Sequence, residues 1–159
     1  MVYLQGEMVV KKGMNILIID AQGGGIGRQL VAAVKKAFPG DTVTAVGTNS
    51  LAASAMLKAG ADLVATGENA VVVGCRRADV ILGPIGIVIA DAMLGEVTPA
   101  MALAAGQSRA KRILLPIGHC DNMVVGVKEL SVSQLVLEAV ERLRAVRGGV
   151  CAEGEGQDG

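Results

Sequence analysis

Aromatic side chains are nearly missing from this chain. Its 159 residues hold one Phe, one Tyr and no Trp. That removes the stacking platforms used to grip single-stranded nucleic acid. Excess charge is missing too: 15 Lys and Arg balance 15 Asp and Glu, which excludes the basic footprint of a nucleic-acid binder. No apolar run is long enough to cross a membrane. The longest, VILGPIGIVIA from Val80 to Ala90, is interrupted by Gly83, Pro84 and Gly86. The amino end has no basic region leading into an apolar block and a cleavage site, so a cytoplasmic protein without a signal peptide is expected. Three widely spaced cysteines cannot pair off into a disulfide framework, and they suit a reducing compartment.

Aliphatic side chains are what the chain has in quantity. Apolar residues make up 52% of it, so its core must be built from Val, Ile, Leu, Ala and Met. That palette suits a parallel sheet covered by helices on both faces. NILIID (15–20) reads as a buried strand, and helical spacing follows from Ile26 to Ala37, stopped by Pro39-Gly40. Strands are expected at 42–47, 61–66, 78–83 and 111–116, with a further edge strand at 123–127. Helices are expected from Thr48 or Asn49 to Lys58, over one to two turns from Glu68, from Pro99 to Gln107, and from Ser131 to Gly148. Ser131 and Gln134 have the spacing of a capping box.

Strands alternating with helices across short connections predict right-handed crossovers. The expected fold is a single Rossmann-like, doubly wound α/β domain over residues 14–147, its mostly parallel sheet holding about five to six strands. Residues 1–13 stand apart as an N-terminal extension ahead of a second candidate start, Met14. Residues 148–159 are expected to be a disordered Gly-rich tail.

In such a sheet, ligands bind beyond the carboxyl ends of the strands. The polar and Gly-rich loops fall at those ends: DAQGGGIG (20–27), GTNS (47–50), TGENA (66–70) and GPIGIV (83–88). The first matches neither a Walker loop nor the strict dinucleotide fingerprint. Its end resembles the glycine loop of short-chain dehydrogenases, but the only tyrosine is Tyr3, so the Tyr-x-x-x-Lys pair of that chemistry is missing. A Gly-rich turn opening a helix still offers backbone N–H groups and a positive dipole end to an anion. The anion-binding glycines would be Gly23, Gly24, Gly25 and Gly27; the other reading is that Gly25 and Gly27 only permit close packing of strand and helix.

Thr48, Asn49 and Ser50 offer hydroxyls and an amide to a phosphate, or simply cap a helix. No carboxylate ends the second strand, which argues against ordinary NAD binding. Thr66, Gly67 and Asn69 repeat the arrangement beside Glu68, whose charge suits a helix start. Gly83 and Gly86 permit close approach of a ligand, while the apolar Ile85, Ile87, Val88 and Ile89 make either a pocket wall or a subunit interface, the interface being favoured. A homodimer is therefore expected.

Candidate chemistry rests on Asp20, at the carboxyl end of the first strand. It is placed either to act as a base, nucleophile or Mg²⁺ ligand, or to hold the glycine loop in shape. Glu68 is the second catalytic candidate. No spacing brings Asp91 or Glu96 to Asp20. His119, Cys120 and Asp121 have ligand and nucleophile chemistry, but neighbours in an extended segment diverge, and no metal-binding spacing exists.

DAQGGGIG, GTNSLAASAMLKAGA, TGENA and GPIGIV, in that order and spacing, resemble a bacterial family known only as a domain of unknown function. The resemblance runs from about Met14 to Leu143 and implies a compact Rossmann-like fold. Members often carry Gly where this chain has Ala21. The resemblance implies no activity, cofactor or catalytic residue.

Two functions remain. The preferred one is a module binding a nucleotide or other small phosphorylated metabolite through the Gly-rich loops. The alternative is a small enzyme that transfers a phosphoryl group or a proton through Asp20, with Mg²⁺ as its cofactor.

Overall fold

In this computed structural model the described residues are 13–117 and 121–149, together with the backbone of two short strands, β1 (Val2–Leu4) and β2 (Glu7–Val9), which pair antiparallel. The main sheet begins at β3 (Asn15–Asp20), whose residues 16 to 20 are all buried. An apolar strand without polar alternation can only be satisfied by cover on both faces. Helix α1 (Gly25–Ala37) follows, then β4 (Thr42–Gly47), α2 (Ser50–Lys58), β5 (Leu63–Thr66) and α3 (Glu68–Arg77). The second half holds β6 (Val80–Pro84), a 3-10 turn (Ile85–Val88), α4 (Pro99–Gln107), β7 (Lys111–Leu115) and α5 (Val132–Arg147).

The five strands β3 to β7 form one all-parallel sheet in the order β5-β4-β3-β6-β7. From β3 the chain steps outward to β4 and β5. It then crosses the sheet through α3 and starts again at β6 on the other side of β3. The order reverses between β3 and β6, and a crevice opens there at the carboxyl ends. Alternate side chains of β3 feed two cores. Ile16 and Ile18 pack with Leu30, Val34, Met56, Val140 and Leu143 from α1, α2 and α5. Leu17 and Ile19 pack with Val71, Cys75, Met101 and Ala105 from α3 and α4.

Local signals set the helix ends. Asn49 Oδ1 accepts the Ala52 N–H at 2.9 Å and Thr98 Oγ1 accepts the Met101 N–H at 3.1 Å. At α5 the Ser131–Gln134 capping box is present in both directions, at 2.9 and 3.2 Å. Aspartates at the amino ends of the strands stitch neighbours together. Asp79 takes the Asn15 N–H, Asp62 the Val43 N–H, and Asp41 the Met14 N–H, at 2.8, 2.8 and 3.0 Å.

Two expectations need correction. No strand forms at 123–127: this stretch has no regular structure, and Met123 and Val125 are exposed. Gly126 adopts φ 81° inside it, which breaks the extended backbone a strand requires. Helix α3 runs ten residues rather than one to two turns, because Val71 and Cys75 anchor it on the sheet. Within the GPIGIV stretch Gly86 and Ile87 are buried, Ile87 in the core between β3, α3 and α4, while Ile85 and Val88 stay half-buried.

Among the described residues, no helix is long and apolar enough to cross a membrane.

Candidate functional site

Strand β3 delivers Asp20 to the crevice floor, 3% exposed. Its two carboxylate oxygens are both engaged. Oδ1 accepts the Ala21 N–H at 2.8 Å, and Oδ2 accepts the Gly27 N–H at 2.6 Å. The aspartate thus occupies much of the positive end of α1 and ties the loop's start to its finish. Burial pushes its carboxyl up from the ordinary aspartate value, with the Glu96 charge adding to the rise. The N–H groups of Gly27, Ala21 and Ile26 oppose it.

The glycines of this loop divide into two kinds. Gly24 sits at φ 71°, and a β-carbon there would meet the Ala52 Cα at 2.8 Å. One on Gly27 would meet Met56 Sδ at 2.6 Å and Asp20 Cβ at 2.8 Å. These two let the loop press on α2 and on β3. Gly23 and Gly25 have no atom within 4 Å of that position, and their N–H groups form no hydrogen bond among the described residues. They border an open cavity of about 300 Å³, lined also by Gln29, Pro84, Met93, Ile117 and Val132. A larger groove of about 650 Å³ runs between α3 and α4, past Val72 and Leu103. It lies away from the strand ends and the glycine loop.

Strand β4 brings up the second loop. The Thr48 N–H donates to the Asp20 carbonyl at 3.0 Å. Thr48 Oγ1 and Asn49 Nδ2 donate to one oxygen of Glu96, at 2.6 and 3.0 Å. That oxygen also accepts the Gln22 N–H at 2.7 Å. These donors, Thr48 foremost, hold the Glu96 carboxyl below the usual glutamate range. Asn49 meanwhile caps α2 and donates to the Gln22 carbonyl at 3.0 Å. Ser50 is exposed at the start of α2.

Glu96 is the residue the sequence did not place. It comes from the loop between β6 and α4, and no local pattern announces its destination. Among the described residues, four non-glycines take positive φ: Gln22, Asp91, Met93 and Leu94. All lie in the two loops that Glu96 joins. Asp91 is exposed in this loop and makes no side-chain bond to Asp20.

The other candidates lie around this centre. Thr66 pairs with Gly47 at the end of edge strand β5, and the Gly67 N–H donates to the Gly47 carbonyl at 3.0 Å. Glu68 and Asn69 are exposed in the first turn of α3, two strands from Asp20. A β-carbon on Gly83 would meet the Ile19 carbonyl oxygen at 2.5 Å, so that glycine lets β6 lie close to β3. Gly86 is buried in the 3-10 turn. His119 and Cys120 lie outside the described residues. Among those described, no three His, Cys, Asp or Glu side chains converge as a metal site.

The family profile described as Domain of unknown function (DUF3842) matches residues 15–147, which is most of the chain, and the chain belongs to that family. No curated protein and no solved structure matches it.

Proposed function

We propose that this member of the family binds a nucleotide or another small phosphorylated metabolite, with the phosphate over the glycine loop. The observation that carries this reading is the pair Gly23 and Gly25. Both face open space at the point where strand order reverses, and among the described residues their N–H groups have no acceptor. Backbone donors at a helix start need no basic side chain to hold an anion. A binding module is favoured over a phosphoryl- or proton-transfer enzyme because both Asp20 oxygens are committed to the loop. A carboxylate so held shapes the site rather than reaching out of it.

The test is a thermal-shift screen with phosphate, AMP, ATP with and without Mg²⁺, NAD, NADP, flavins and sugar phosphates. A ligand at roughly a hundred times its Kd adds about 2.7 kcal/mol, which moves the midpoint by several degrees. Gly25→Val should abolish that shift while leaving the ligand-free midpoint close to wild type. If no phosphorylated compound shifts the protein, the reading fails.

A further inference from the structure

We infer that Glu96 is the acceptor for the ribose hydroxyls of a ribonucleotide, so that this site takes ligands with a free 2′-hydroxyl and rejects 2′-deoxy and 2′-phosphorylated ones. The inference rests on the nucleotide reading of the same crevice and names its ligand more closely.

In dinucleotide-binding sheets of this strand order, a carboxylate at the end of the strand after the glycine loop holds the ribose. Here that strand, β4, ends at Gly47 and is followed by Thr48 and Asn49, with no acid of its own. The tertiary structure supplies one from elsewhere. Glu96 arrives from a loop 47 residues beyond Asn49 and lands on Thr48, Asn49 and the Gln22 N–H. All three donors converge on the same oxygen, Oε2, and among the described residues none donates to the other oxygen, Oε1. A carboxylate clamped through one oxygen keeps its second free to accept from a hydroxyl.

The position relative to the phosphate loop also fits. Gln22, which holds Glu96, immediately precedes Gly23. A ribose at Glu96 would therefore put its 5′-phosphate beside the N–H groups of Gly23 and Gly25, which have no acceptor among the described residues. The delivering loop holds Asp91, Met93 and Leu94 at φ 63°, 55° and 58°, a conformation that persists only where the surroundings impose it. Negative charge at this point repels a 2′-phosphate, and a 2′-deoxy sugar leaves the free oxygen without its donor.

Calorimetric titration of the full chain tests this with the 5′-monophosphates of the common ribonucleosides, their 2′-deoxy and 2′-phospho counterparts, and inorganic pyrophosphate. A ribonucleotide should bind about tenfold or more tightly than either counterpart, the scale of one hydrogen bond to a charged group. Glu96→Gln should weaken the ribonucleotide about tenfold and erase that preference; the comparison among ligands needs no variant. Binding of pyrophosphate and all nucleotides alike overturns the ribose role and leaves the phosphate loop standing. Tighter nucleotide binding by Glu96→Gln also overturns it, because the carboxylate would then be blocking the site. Binding of none of these compounds overturns both readings.

Discussion

Glu96 accepts the Gln22 N–H at 2.7 Å across 74 residues of chain. One hydrogen bond therefore closes the loop after β6 onto the glycine loop after β3, over the crevice between those strands. Both partners belong to loops with left-handed non-glycine residues, so the clasp and the unusual backbone occur together.

That clasp is sensitive to acid in a defined direction. Thr48, Gln22 and Asn49 depress the Glu96 carboxyl. A carboxyl depressed on folding adds stability that is fully present above its unfolded value, about 4.3, and is lost as pH falls through the folded value. Asp20 runs the other way. Burial raises it, so its ionisation lowers stability as pH climbs from the unfolded value, about 3.9, through the raised one. Urea unfolding of wild type and Glu96→Gln from pH 3 to pH 7 should show a stability deficit in the variant that is largest at neutral pH and shrinks below about pH 4. A deficit independent of pH would mean the Glu96 charge contributes nothing to the clasp.

The glycines of the loop should separate in stability measurements. Gly24→Ala places a side chain at φ 71° and against Ala52, at a cost of about 1–2 kcal/mol for the backbone alone. Gly27→Ala forces Met56 and Asp20 apart, with overpacking worth about 1–3 kcal/mol. Gly25→Ala meets open space and should stay within about 0.5 kcal/mol of wild type. Denaturant midpoints of the three variants check this. Equal losses at Gly24 and Gly25 would show that the whole loop is packed.

At the opposite end of the sheet, Asp41 is 3% exposed. It accepts the Met14 N–H at 3.0 Å and pairs with Arg147. Arg147 also lies over the Phe38 ring, 4.9 Å from its centre. Asp41→Ala should lower unfolding free energy by about 2 kcal/mol, the scale of lost hydrogen bonds to a charged group. Asp41→Asn, which keeps an acceptor, should lose less. Chemical denaturation distinguishes them, and equal losses would assign the effect to the ion pair alone.

Much of the fold was legible from short windows. The apolar run of β3, the Ser131–Gln134 capping box and the Thr98-Pro99 start of α4 each depend on residues within a turn or two of one another. The edge strand expected at 123–127 failed because an apolar run with Gly126 inside it has no local feature that says whether a partner strand lies alongside. The burial of Ile87 has no local signal because its cover comes from other elements, including α4. For the site, the end of the sheet and the glycine loop were legible, and Glu96 was not.

The sequence by itself determined the element types, the α/β class and the end of the sheet where polar loops collect, because periodicity, caps and turn residues act locally. Only the tertiary structure decided the strand order, the split between the packed Gly24 and Gly27 and the open Gly23 and Gly25, and the arrival of Glu96 on Thr48, Asn49 and Gln22. Those outcomes depend on which surfaces meet once both faces of the sheet are covered, and contacts between residues far apart in the chain leave no periodic trace along it.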